Sequence, residues 1–197
     1  MSAYTWPPDP SAVPRLTPAA AEPVASAVLV PLYRDGDRTH LVLTRRRSDL
    51  RRHAGEISFP GGRRDAADAD LTETALREAE EEIGLPRSQV QLIGELPVTS
   101  TFATNYLIHP FVATIPAGVA WELSPKEVDA VLELPLEEIN AGRTITTLER
   151  RGITFQTDAY VVGEHLIWGA TARIVEHLFA RLTDEAGEAL ALRAGAS

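Results

Sequence analysis

Hydrophobic and polar positions alternate between two periods along the chain, and the switches mark its elements. Val24 to Tyr33 is an apolar, β-prone run and predicts a central strand. Asp35-Gly36 predicts a turn, and His40 to Thr44 a strand that pairs back on the first. Phe59-Pro60-Gly61-Gly62 and the Asp/Ala-rich residues after it are expected as loop, leading into a helix over Leu71 to Ile83 that Gly84 and Pro86 terminate. Beyond the helix, short strands are expected at Val90 to Ile93, Ile108 to Ala113, Thr144 to Thr146 and Phe155. Short helical pieces are expected at Pro125 to Val131 and Leu136 to Asn140. Thr171 to Leu182 is an amphipathic helix with Ile174, Val175, Leu178 and Leu182 on one face. Strands and helices mix without regular βα alternation and without internal repeats, which predicts an α+β fold with a mixed sheet. Residues 1–22, with Pro7, Pro8, Pro10, Pro14 and Pro18, are expected as an extended arm; residues 23–183 as one domain; residues 184–197 as a tail.

Composition narrows the chemistry. With 197 residues, 44% of them hydrophobic, the chain can bury a real core. It has no cysteine, so disulfides and thiolate metal sites are excluded; a metal must bind through oxygen or through the five histidines. Oxygen donors suit a hard cation such as Mg²⁺ or Mn²⁺. The net charge of −9 argues against sequence-independent binding to nucleic acid, which needs a broad basic surface. It leaves room for a small phosphorylated substrate, because a local basic patch or a bound metal reverses the field within one cleft. No apolar run has the length of a membrane span, and Met1 to Ala20 has neither the basic start nor the apolar core of a secretion signal, so a soluble cytoplasmic protein is the default expectation. A homodimer is neither required nor excluded.

The helix carries the chemistry. At about 100° per residue, Ala75, Leu76, Ala79 and Ile83 share one arc, the expected buried face. Glu78, Glu81 and Glu82 occupy the arc beside it, while Glu73 and Glu80 lie on the far side. Carboxylates one turn apart converge and repel; a cation removes that penalty and uses the oxygens as ligands. The ordinary alternative, glutamates on a solvated helix face, is made less apt by their position at the border of the apolar face and by the preceding glycine turn. Arg77 either supports the helix by pairing with Glu81 or orients a metal-binding carboxylate, and the two roles are compatible. Asp70 is expected as N-cap with Glu73 completing a capping box.

These residues resemble a known family. Arg77-Glu78-Ala79-Glu80-Glu81-Glu82-Ile83-Gly84-Leu85 is similar to the second half of the Nudix box, R-E-apolar-x-E-E-x-G-apolar, at every defined position. The first half departs: counting back from Arg77, the box's Glu falls on Ala69 and its Gly on Arg63, with Gly62 and Asp68 each one residue off. Nudix hydrolases acting on coenzyme A carry a slightly longer box preceded by L-L-T-x-R-(S/A)-x3-R-x3-G-x3-F-P-G-G. Val42-Leu43-Thr44-Arg45-Arg46-Arg47, Arg51, Gly55 and Phe59-Pro60-Gly61-Gly62 follow that spacing, with Val42 for Leu and Arg47 for the small residue. The likeness covers residues 42–85; Leu96-Pro97, His109-Pro110-Phe111, Glu127-Val128 and Ile167 to Ala172 echo later segments.

The resemblance implies a Nudix fold, an α/β/α sandwich with a mixed sheet and a loop–helix–loop catalytic motif. It implies dependence on Mg²⁺ or Mn²⁺ and cleavage of coenzyme A into 3′,5′-ADP and 4′-phosphopantetheine. By position it implies Glu78, Glu82 and Glu81 as metal ligands, joined by Gly62, whose backbone, like that of Gly61, can approach metal or phosphate closely. Glu81, Arg77 and Glu127 are expected in the catalytic machinery; Glu127 is either a further ligand or base, or an exposed Glu starting a short helix. Arg46 and Arg51 occupy the motif's defined arginines and are expected on substrate phosphate, whereas Arg45, Arg47 and Arg52 are equally compatible with a solvated charge run. His53 either touches phosphate or caps the loop. Tyr106 and Trp168 are expected to pack, with stacking on adenine as the alternative. Another diphosphate substrate (ADP-ribose, a dinucleotide, an NTP) and a non-catalytic Nudix-fold binding module are the competing functions.

Overall fold

The structure, a computed structural model, describes residues 22–47, 55–101, 105–150 and 152–184. Expectations that fall on the N-terminal arm, on most of the tail, and on Arg51, Arg52 and His53 lie outside the described residues.

The apolar run at the start forms β1 (Val24–Asp35), which turns at Gly36 (φ 57°) into β2 (Arg38–Arg46), with Leu32 opposite Leu41 and Asp35 opposite Arg38. Along its other edge β1 pairs in parallel with β7 (Tyr106–Thr114), from Val24 opposite Tyr106 to Leu32 opposite Thr114. β5 (Gln91–Glu95) and β6 (Thr99–Ser100) pair antiparallel to β7; β3 (Ile57–Ser58) and β8 (Val128–Pro135) pair antiparallel to β2. The result is the expected mixed sheet.

Alternation along β1 and β2 sends side chains to opposite faces, and each face has its own core. Ala27, Leu29 and Val42 pack under helix α1 (Leu71–Ile83), whose Ala75, Ala79 and Ile83 are fully or almost fully buried. Val30, Leu32, Leu41 and Leu43 face the other way, into the core of α3 (Gly169–Asp184), where Ile174, Val175 and Leu178 are buried as the periodicity predicts. The short α2 (Leu136–Ala141) adds Ile139 to that side. Helices on both faces of a mixed sheet make the α/β/α sandwich.

Three expectations are corrected. Gly61 and Gly62 are not loop: they begin β4 (Gly61–Arg63), paired antiparallel to β1 with Ala27 opposite Gly62. The segment at Pro125 to Val131 is not helical. Its first residues form a turn, closed by the Glu127 and Val128 N–H groups on the Ser124 carbonyl (3.1 and 3.0 Å), and Val128 then enters β8 to cover the open edge of β2. The fragments at Thr144 to Thr146 and Phe155 are parts of one long hairpin, β9 (Arg143–Arg150) and β10 (Ile153–Val162), joined by an unexpected β11 (His165–Trp168) in a second, three-stranded sheet. The hairpin is rich in Thr and charge because much of it is exposed, so its sequence lacks the apolar alternation that betrays a strand.

Candidate active site

Helix α1 is held at both ends as its sequence dictates. The Asp70 carboxylate accepts the N–H of Glu73 at 2.8 Å, and Gly84, at φ 67°, donates its N–H to the Glu80 carbonyl at 3.0 Å. Only half of the capping box forms, because the Glu73 carboxylate pairs with Arg87 instead.

One flank of the helix meets β4. Glu82 is 3% exposed. Its Oε2 accepts the Gly61 N–H at 3.1 Å and its Oε1 lies 3.7 Å from the Arg46 guanidinium. Glu78, half-buried, lies against Gly62 so closely that a Cβ there would sit 2.4 Å from the carboxylate; a Cβ on Gly61 would likewise sit 2.4 Å from the Ala27 carbonyl oxygen. The two glycines are therefore required by close approach: only a strand without side chains passes between β1 and the acidic flank of α1.

Burial dominates the electrostatics. It pushes the Glu82 carboxyl up to about 7, with Glu78 and Glu127 adding to the effect and the Gly61 N–H and Arg46 opposing it. Glu78 is raised for the same reason, opposed by Arg77. Glu127, exposed in the turn before β8, faces this pair closely enough to act on both.

Arg77 is the hub that arranges the rest. Its Nε and Nη2 donate to the two oxygens of Asp68 (2.8 and 3.0 Å), its Nη2 also to the Arg63 carbonyl (3.2 Å), and its Nη1 to Glu78 (2.9 Å) and Glu81 (3.1 Å). Asp68 is buried, and it also accepts the Thr74 hydroxyl and the Asp65 N–H, each at 2.8 Å. Arg77 holds the Asp68 carboxyl well below the usual carboxylate range, and Asp68 in turn keeps Arg77 protonated. Asp68 is the residue sequence reasoning missed. It lies one position from where the general box has its Glu, and that acid beside a mismatch was its only signal.

The predicted residues divide accordingly. Glu78, Glu82, Gly61, Gly62, Arg46 and Glu127 gather at one place. Glu81 is mostly exposed and turned onto Arg77, so among the described residues no three acidic or imidazole side chains close around one point. Arg45 reaches from β2 to Asp129 on the neighbouring β8 (2.9 Å), and the Arg47 side chain reaches the Pro125 carbonyl. Trp168 packs on Phe155, ring centroids 6.4 Å apart, and Tyr106 lies under the Arg63 guanidinium at 5.7 Å.

A mixed sheet between helices, with an acidic helix flank laid on a glycine strand, is the arrangement that the resemblance to Nudix hydrolases implies. The NUDIX domain model matches residues 23–153, and the chain belongs to this family. Its relatives include the uncharacterized Nudix hydrolase NudL of Photorhabdus laumondii, 41% identical over 156 residues, which span 78% of this chain and 82% of that protein. Among solved structures, a MutT/nudix family protein from Enterococcus faecalis matches with a TM-score of 0.58 at 16% identity, over 85% of this chain and 65% of that one. The NUDIX domain of Shewanella oneidensis NrtR, solved with ADP ribose, matches with a TM-score of 0.54 at 16% identity, over 89% and 94%. These two likenesses are of fold. The chain is thus a Nudix pyrophosphohydrolase, of a family that generally depends on a divalent metal, and the non-catalytic alternative falls away. No helix among the described residues is long and apolar enough to cross a membrane.

Proposed function

We propose that the enzyme hydrolyses the diphosphate bond of coenzyme A or its derivatives, giving 3′,5′-ADP and 4′-phosphopantetheine or its acyl form, with Mg²⁺ or Mn²⁺. The observation that carries the metal-dependent diphosphate chemistry is the pair Glu82 and Glu78, buried against Gly61 and Gly62. The donor set is all oxygen, which suits a hard cation. Buried Glu82, half-buried Glu78 and a third acid at Glu127, with Arg46 and Arg77 as their countercharge among the described residues, leave the flank short of positive charge. In this reading Glu78, Glu82 and Glu81, with the Gly62 backbone, would hold the cation. Once bound, the cation supplies neutralisation of phosphate oxygens and acidification of a water.

The chain's own residues do the rest. Arg77, anchored by Asp68, fixes the Glu78 carboxylate. Arg46 stands beside Glu82 with its guanidinium partly exposed, and with Arg51 it binds substrate phosphate bidentately. Glu127 accepts a proton from the attacking water or contributes a further ligand. The backbone of Gly61 and Gly62 lets a phosphate approach without a side chain in the way.

The preference for coenzyme A rests on the spacing of Thr44, Arg46, Arg51, Gly55 and Phe59-Pro60-Gly61-Gly62. Its test is a substrate panel with Mn²⁺: coenzyme A, 3′-dephospho-coenzyme A, ADP-ribose and a dinucleoside polyphosphate, with product identification. Recovery of 3′,5′-ADP with coenzyme A turned over fastest is expected. ADP-ribose or a dinucleotide turned over faster than coenzyme A would move the reading to another nucleoside diphosphate derivative. Equal rates with and without the 3′-phosphate would remove the proposed role of the arginines.

A further inference from the structure

The open edges of the two sheets are not alike. A strand edge offers unpaired N–H and C=O groups to any other chain, and proteins usually blunt it. Here β5 is kinked by a bulge between Leu92 and Gly94, β8 carries only acidic charge at Asp129 and Glu133, and β3, β6 and β11 run two to four residues. β9 is neither bulged nor short, and its charges are of both signs. It is eight residues long, Arg-Thr-Ile-Thr-Thr-Leu-Glu-Arg, without Pro, Gly or Lys, in regular register with β10 throughout. No strand pairs with its other edge among the described residues, and Ile145 at its middle is 67% exposed.

The direction of its free groups follows from one bond. The Val161 N–H donates to the Gly142 carbonyl at 2.9 Å, one step before β9 starts. Antiparallel ladders alternate, so the even residues 144, 146 and 148 bond to β10, and Arg143, Ile145, Thr147 and Glu149 turn their backbone groups outward. A second copy related by a two-fold axis must pair antiparallel with like faces together, so odd residues meet odd ones. Centred on Thr146, that pairing sets Arg143 opposite the partner's Glu149 at both ends and Ile145 opposite the partner's Thr147. Shifting the centre to either neighbouring position separates the charges, leaving Arg143 against Thr147 or Glu149 against Ile145. Centred on Val131, at the middle of β8, the same operation sets Asp129 against the partner's Glu133, acid on acid.

We propose that β9 is a self-association edge: two copies of this chain pair antiparallel through Arg143 to Glu149, centred on Thr146, and join their three-stranded sheets into one. Ile145 is covered in the process, and the Arg143 guanidinium, which pairs with Glu176 at 2.7 Å, gains a second acid from the partner. This surface is independent of the substrate reading.

Sedimentation velocity on the full chain across a concentration series is expected to show a concentration-dependent species of twice the monomer mass. Glu149→Arg sets Arg against Arg, and Arg143→Glu sets Glu against Glu, so each variant alone is expected to stay monomeric. Mixed together they restore opposite charges at both ends, and the doubled mass is expected to return, which a merely unfolded variant cannot do. The chain has no cysteine. Thr146→Cys therefore places a lone thiol on the two-fold axis, at a non-hydrogen-bonded pair with Cα atoms about 4.5 Å apart, within disulfide reach. Mild oxidation is expected to yield a covalent dimer for Thr146→Cys and none for Thr154→Cys, on the neighbouring strand. A wild-type chain that stays monomeric throughout, failure of the mixed variants to associate, or absence of the Thr146→Cys cross-link would each overturn the proposal.

Discussion

The two flanks of helix α1 carry the same residue type to opposite ends. On the outer flank, Glu73 and Glu80 are exposed or nearly so and share Arg87, with Glu80 at 3.0 Å. Such pairs contribute about 0–1 kcal/mol each, because water screens them. On the inner flank, Glu78 and Glu82 are drawn under β4, where burial favours their neutral forms and the nearby Glu127 charge raises the cost of ionising both. The helix supplies the spacing; the glycine strand laid over one flank converts that spacing into chemistry. A carboxylate becomes useful here because of what covers it.

Removing one carboxylate from each flank separates the two most strongly. Glu82→Gln is expected to lower kcat by about 10³-fold or more, the scale on which metal-held charge stabilisation acts. Glu80→Gln is expected to leave kcat within about twofold, as a screened surface pair should. Circular dichroism checks that both variants fold.

Asp68 tests whether the inner flank needs its anchor. Asp68→Asn leaves Arg77 a weaker, neutral partner, and outer partners of metal ligands typically account for about 10–100-fold in activity or metal affinity. A fall of that size in kcat, with KM changed less, is expected. Loss of KM alone would assign Arg77 to substrate binding.

Gly62→Ala attacks the cover itself. Its Cβ would sit 2.4 Å from the Glu78 carboxylate, so either strand or carboxylate must shift. A cost of about 1–3 kcal/mol in stability is expected, together with reduced turnover. Gly94→Ala, where the added Cβ meets nothing within 4 Å, is the control.

The smallest effect is the pH dependence of the metal-free protein. The folded Glu82 carboxyl stands at about 7, above its ordinary 4.5, so the folded state holds this proton more firmly than the unfolded one. Its contribution is most favourable below about 4.5, declines as pH rises towards about 7, and is then level. Asp68 is shifted the opposite way, below its ordinary 3.8, and acts in a more acid window. Thermal melts of metal-free protein from pH 5 to 8 are expected to fall, by roughly a few degrees, less steeply in Glu82→Gln. Mn²⁺ is expected to raise the melting temperature more at pH 8 than at pH 5, because protons compete for the same oxygens.

What was legible in the sequence follows the same division between covered and uncovered. The helix Leu71–Ile83 could be bounded to the residue because its cap, its apolar arc and Gly84 all lie within the segment. β1, β2 and α3 were legible from their apolar faces. The hairpin β9–β10 was not, because an exposed strand of Thr, Arg and Glu has no apolar face to show. The Gly61-Gly62 strand was hidden by its own composition: the lack of side chains that signals a turn also lets a strand slip beneath a helix. The wheel gathered Glu78, Glu81 and Glu82 into one arc, but only tertiary contacts separate buried Glu82 from exposed Glu81. Asp68 was obscured because its partner Arg77 is nine residues away, across a loop whose path no local pattern records.

The central claim is that the flank of α1 beneath Gly61 and Gly62 is the metal-binding, diphosphate-cleaving side. Titration of Mn²⁺ into metal-free protein, followed by calorimetry or by the electron paramagnetic resonance of free Mn²⁺, measures it directly. Saturable binding in the wild type and in Glu80→Gln, with at least tenfold weaker binding in a folded Glu82→Gln, is the predicted result. Equal affinity in all three proteins would contradict the account.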